Sequence, residues 1–184
     1  MRTKPQDDDH VGFSGWRLLG LGFWQAWWMI SMCTDVLLPT TDRFPFAGNT
    51  TLWVLVLTTV GYLVVVALAR RLSPFLTHRA SFLAAGGLTA AGTVTLPIAL
   101  TLGSGAAGFA WFLAGTVSLS LGNALLLIMW GELWSALATG RVGRHLYVSY
   151  TFAFVLFFVA YALPEAAAVA FTAALPIVSA AVLV

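Results

Sequence analysis

Two carboxylates, Asp35 and Glu132, stand inside long apolar runs, where an ionised side chain is costly enough to imply a partner, a proton path or a ligand. Asp35 lies about 18 residues into the first run, near its far end. Glu132, in the stretch WGELWSAL, follows the start of the fourth run by about 24 residues, or roughly 35 Å at the rise of an α-helix. The two groups therefore fall at opposite ends of their helices and cannot share one substrate, which excludes a paired-carboxylate catalytic site. Asp35 reads either as a solvated end group or as a ligand or proton site. Glu132 reads either as a salt-bridge partner of Arg70, Arg71, Arg79 or Arg141, or as a coupling carboxylate.

The segment GFWQAWWMISM places Trp24, Trp27 and Trp28 at i, i+3 and i+4, on one helical face. Such a face suits the wall of a pocket for an aromatic or apolar ligand, with Gln25 and Asn123 as the few polar groups that orient it. The alternative is that the indoles pack against neighbouring helices or lipid and the amides only bridge helices. Hydrolytic, redox and phosphate-binding motifs are absent. His10, His78 and His145 lie in polar segments, too scattered to form a metal-ligand set, so no metal and no cofactor is expected. Cys33, the single cysteine, excludes an internal disulfide and reads as a buried, inert thiol. No enzyme activity is expected.

The elements that would position these residues follow from composition. Apolar residues make up 60% of the 184 and charged ones 9%, far from the roughly quarter-charged mixture of a soluble domain, so lipid is the expected surroundings. A helix that crosses a bilayer core needs about 20 apolar residues. Six runs approach that length: 16–38, 51–69, 80–102, 109–135, 146–163 and 165–184. Short punctuation separates them, notably PTTDRFPFAGNT, the basic RRLSPFLTHR, GSGAAG and the basic GRVGRH. The expected fold is all-α, a polytopic six-helix transmembrane bundle over 16–184 preceded by a disordered cytoplasmic tail over 1–15. The first run is too long, and lacks the cleavage site, for a signal peptide.

Lysine and arginine collect on the cytoplasmic side of membrane proteins. With the N-terminus inside, Arg2, Lys4, Arg17, Arg70, Arg71, Arg79, Arg141 and Arg144 share that side and only Arg43 opposes them. This predicts a multi-pass protein of the inner (plasma) membrane, with Trp53 and Trp111 at the outer interface and Trp16 and Trp134 near the inner one. Small residues allow helices to approach in lipid, and Ala114, Ser118 and Gly122 on the fourth run, with Gly86, Gly87, Ala90, Ala91 and Gly92 on the third, mark both as interior helices. Pro97 and Pro176 are expected to bend the third and sixth. A net charge of +2 with scattered arginines gives no nucleic-acid surface within these residues.

A six-helix block with a cytoplasmic N-terminus and a basic loop after its second helix resembles one half of a major facilitator superfamily transporter. The loop ARRLSPFLTHR departs from that family's G-x-x-x-D-R-x-G-R-R pattern, lacking the Asp and both glycines. The tryptophan-rich FWQAWWMISM and the run LGNALLLIMWGELWSAL resemble, more closely, membrane-tethered LuxR-type regulators, in which a facilitator-like membrane domain precedes a helix-turn-helix. That resemblance implies the first half of a sensor domain, with a small-molecule cavity beside Trp24, Gln25, Trp28 and Asn123 and with Glu132 near a cytoplasmic relay. It also implies that DNA is contacted only through a domain beyond Val184. Half of a secondary transporter, pairing with a second block or a second copy, is the alternative, and oligomeric state stays open.

Overall fold

Apolar runs without strand-like alternation form helices, because in the absence of water each backbone N–H must find its acceptor within its own segment. A computed structural model describes residues 15–34, 36–37, 50–72, 74–103, 105–135 and 139–183. They form helices α1 (Gly15–Cys33), α2 (Thr50–Leu72), α3 (Arg79–Thr101), α4 (Ala106–Ser135), α5 (Thr139–Ala162) and α6 (Glu165–Leu183), with a single 3-10 turn at Phe75–Thr77 between α2 and α3. Among the described residues there is no strand.

Five helices, α2 to α6, are long and apolar enough to cross a membrane. The first is not among them. Its tryptophans, Gln25 and glycines lower its hydropathy, and most of its middle (Leu21, Gln25, Ala26, Trp27, Ile30 and Ser31) is buried by other helices rather than turned outward. Helix α1 also ends at Cys33, earlier than the apolar run ends, and Cys33 is exposed at its last turn, not buried. Asp35, the tail 1–14 and the segment 38–49 lie outside the described residues. At the other boundary, α5 begins at Thr139, seven residues before its apolar run, and His145, in its second turn, is buried against the bundle.

Cross-helix proximities fix the directions of the chain. A Cβ on Gly20 would meet Val182 and the Trp130 ring, and one on Gly22 would meet the Ser149 carbonyl and Phe152. The starts of α1 and α5 therefore share one end of the bundle with the ends of α4 and α6. Exposed Arg71, Arg79 and Arg144 lie at that same end, and exposed Trp53 and Trp111 lie toward the other. The principal pairings are α1 with α5 and α6, α4 with α2 and α3, and α3 with α6. Exchanging α1 with α4, α2 with α5 and α3 with α6 leaves this set unchanged. The scheme of pairings is thus symmetric under exchange of two three-helix units that run in opposite directions, and α3 and α6 each bring a buried leucine of a Leu-Pro-Ile tripeptide, Leu96 and Leu175, into one apolar cluster.

The tightest seam joins α3 to α4. A Cβ on Gly92 would stand 2.6 Å from the Gly115 carbonyl and from Leu119, and one on Gly122 would collide with the Thr89 backbone, so only glycine lets these helices approach. The Ser118 hydroxyl donates to the Leu88 carbonyl across the seam at 2.9 Å. Of the expected small residues, Gly86, Ala90, Gly92 and Gly122 are buried and Ser118 bonds across the seam, whereas Gly87, Ala91 and Ala114 are exposed and Gly115 takes the contact face in place of Ala114. The outer faces of α2 (Leu52, Leu55, Val56, Leu63) and α5 (Phe154, Phe158) remain exposed, a far larger apolar surface than water tolerates.

Candidate functional site

Halfway along α1, the Trp24 indole Nε1 donates to Asn123 Oδ1 of α4 at 2.8 Å, and Asn123 Nδ2 donates to the Tyr62 hydroxyl of α2 at 3.1 Å. Each residue sits near the middle of its helix, so three helices are joined at mid-depth by side chains alone. Asn123 is fully buried, while Trp24 and Tyr62 are partly so. An indole can only donate, which places Oδ1 of Asn123 toward Trp24 and its NH2 toward Tyr62. The sequence of donors therefore runs one way, and the O–H hydrogen of Tyr62 is directed elsewhere. Trp28 stacks on Trp24 with ring centroids 6.5 Å apart and planes 18° apart, which extends an aromatic wall beside the network.

The remaining expected site residues turn away from this point. Trp27 is completely buried and donates at 2.9 Å to Thr93 of α3, whose own hydroxyl returns to the Thr89 carbonyl at 2.8 Å. Its ring leans on Trp28 at 6.1 Å and 49°. Gln25 is buried one turn beyond Leu21 and Gly22, and among the described residues its Oε1 has no hydrogen-bond partner. The structure thus brings Trp24, Trp28 and Asn123 together and adds Tyr62, with Trp27 beside them and Gln25 apart. A lone phenol within the aliphatic stretch VGYLVVV was the available signal for Tyr62, since a membrane-embedded hydroxyl needs a partner.

Glu132 occupies the arginine-bearing end, about 39 Å along α4 from Ala106. Its carboxylate accepts from the backbone N–H groups of Phe75 and Leu76 at 3.0 and 3.1 Å, one to each oxygen. These are the first donors of the 3-10 turn, left unsatisfied by the turn itself, and a charge-assisted bond to each is stronger than a neutral one. Phe75, almost fully buried, pins the same turn into the cluster of Met129 and Trp130. The α2–α3 connection is thereby fastened to the end of α4 by one apolar and one ionic anchor.

His145 ends the polar stretch GRVGRH, yet its side chain is interior. It is completely buried on α5, its ring 5.9 Å from that of Trp130, whose Nε1 donates to Ser179 of α6 at 3.1 Å. Its arginine neighbours obscured this in the sequence, because one helical face can be interior while the next is exposed. Among the described residues no three His, Cys, Asp or Glu side chains approach closely enough to hold a metal.

No protein-family model matches the chain, and no curated protein or solved structure is significantly similar to it.

Proposed function

We propose that the chain is a six-crossing, facilitator-like membrane domain that senses a small aromatic or apolar molecule, as the membrane half of a LuxR-type regulator with its N-terminus in the cytoplasm. The observation that supports this reading is the aromatic and amide constellation of Trp24, Trp28, Asn123 and Tyr62, which ties α1, α2 and α4 at mid-depth. A ligand stacked on the two indoles would compete with packing that differs between two arrangements of those helices, and it shifts their balance by its difference in affinity for them. Helix α4 leads from this point to Glu132 and the α2–α3 turn, the natural output at the cytoplasmic face. A helix-turn-helix would belong to a segment outside these residues. As a test, tryptophan fluorescence of the full-length protein in nanodiscs is followed while indole and simple phenols are titrated. A saturable change that disappears in Asn123→Ala is expected, and its absence for every probe overturns the reading.

The second reading is half of a secondary transporter. The exchange relation between the α1–α3 and α4–α6 units favours it, since inverted three-helix repeats build each half of facilitator-type transporters. Solute uptake into proteoliposomes that is lost in Glu132→Gln, with no fluorescence response to aromatic probes, would decide for transport.

A further inference from the structure

Between α1 and α5, on the outside of the bundle, runs an open groove of about 410 Å³ lined by Leu19, Tyr147, Val148, Thr151, Phe152 and Val155. Its walls offer almost nothing polar. Among the described lining residues, the Thr151 hydroxyl is the one polar side chain besides the Tyr147 phenol, and it donates to the Tyr147 carbonyl at 2.9 Å. Phe152 forms a firm wall, because its ring is held edge-on against Phe23 at 5.1 Å and 84°. An occupant must therefore be apolar, and the volume lies within the range of ligand sites, about 300–1,000 Å³.

Length and charge narrow the choice. From Tyr147 to Val155 the groove extends about 12 Å along α5, close to the roughly 15 Å of one leaflet of a 30 Å hydrocarbon core. Arg144 is exposed on the same stripe of α5, at i−3 and i−4 from Tyr147 and Val148. The mouth is thus cationic and the body apolar, at the depths where a phospholipid has its phosphate and its chains. We infer that this groove binds one acyl chain of an anionic phospholipid from the arginine-bearing leaflet, with the Arg144 guanidinium pairing with the headgroup phosphate. The inference rests on the membrane reading but not on the sensory one.

The test uses the full chain reconstituted in vesicles of equimolar phosphatidylcholine and phosphatidylglycerol, then analysed by native mass spectrometry and by crosslinking with a photoactivatable acyl chain. One phosphatidylglycerol should be retained in roughly fivefold preference to phosphatidylcholine, the effect of one basic residue worth about 1 kcal/mol at an anionic surface. Crosslinks should gather on Val148, Thr151 and Phe152. Arg144→Gln should abolish the preference, Arg144→Lys should restore most of it, and Val148→Trp should block retention of both lipids with an unchanged circular dichroism spectrum. Equal retention of the two lipids, or crosslinks spread evenly over the exposed face of α2, overturns the site while leaving the membrane reading intact. A polypeptide that stays monodisperse without detergent and retains neither lipid overturns both.

Discussion

Helix α4 is anchored twice, and the two anchors obey different rules. At Asn123 the partners are neutral side chains from two other helices, each bond replacing one that no solvent could supply. At Glu132 the carboxylate takes two backbone donors, the bonds are charge-assisted, and the element they hold is a connection rather than a helix. The difference reflects depth. A full charge is tolerated near the end of a span, where the bilayer core gives way, and an amide is the strongest polar group that the middle accommodates cheaply. The two points are nine residues apart on one continuous helix, roughly 14 Å, so a displacement at one is delivered to the other without an intervening hinge.

The comparison breaks most severely at Gly122, the neighbour of Asn123. Gly122→Ala puts a methyl group into the Thr89 backbone, forces α4 off α3, and should destabilise the protein on the order of 3 kcal/mol. Unfolding in a mixed-micelle denaturant series measures it. Next comes Asn123→Ala, which strands the Trp24 N–H and should cost about 1 to 2 kcal/mol in the same assay, given that interhelical hydrogen bonds in membranes average about 0.6 and reach about 1.7. Glu132→Gln should leave the helices intact, at about 1 kcal/mol, and act on the turn alone. Hydrogen exchange at the Phe75 and Leu76 amides should accelerate about fivefold, with exchange near Asn123 unchanged. An equal acceleration at both places would show that the anchors are one cooperative unit. Smallest of all is Gly87→Ala, one residue from the buried Gly86, where a Cβ meets nothing: a change within about 0.5 kcal/mol, of either sign, is expected.

Much of the helical frame was legible because hydropathy marks lipid-facing residues, and α2 and α5 show lipid most of their surface. The same signal is weakest where protein, not lipid, is the neighbour. Helix α1 falls below the apolarity of a lone span, with its middle enclosed by other helices, and the opening turns of α5 read as loop although His145 faces inward. At the site, Trp24 and Asn123 stand out as polar-capable groups in apolar runs. Their mutual partnership, the choice of Tyr62, and the diversion of Trp27 to Thr93 depend on helix rotation, which no single run encodes. Glu132 stands near the end of α4, but its backbone donors have no residue type and leave no trace in a sequence.

The exchange relation between the two three-helix units has a consequence for biogenesis. A pairing scheme that is unchanged when its two oppositely directed units are exchanged offers little guide to which way it enters the membrane. The choice falls to the arginines gathered at one end, and relocating that handful of side chains should yield molecules inserted both ways up, each internally well packed.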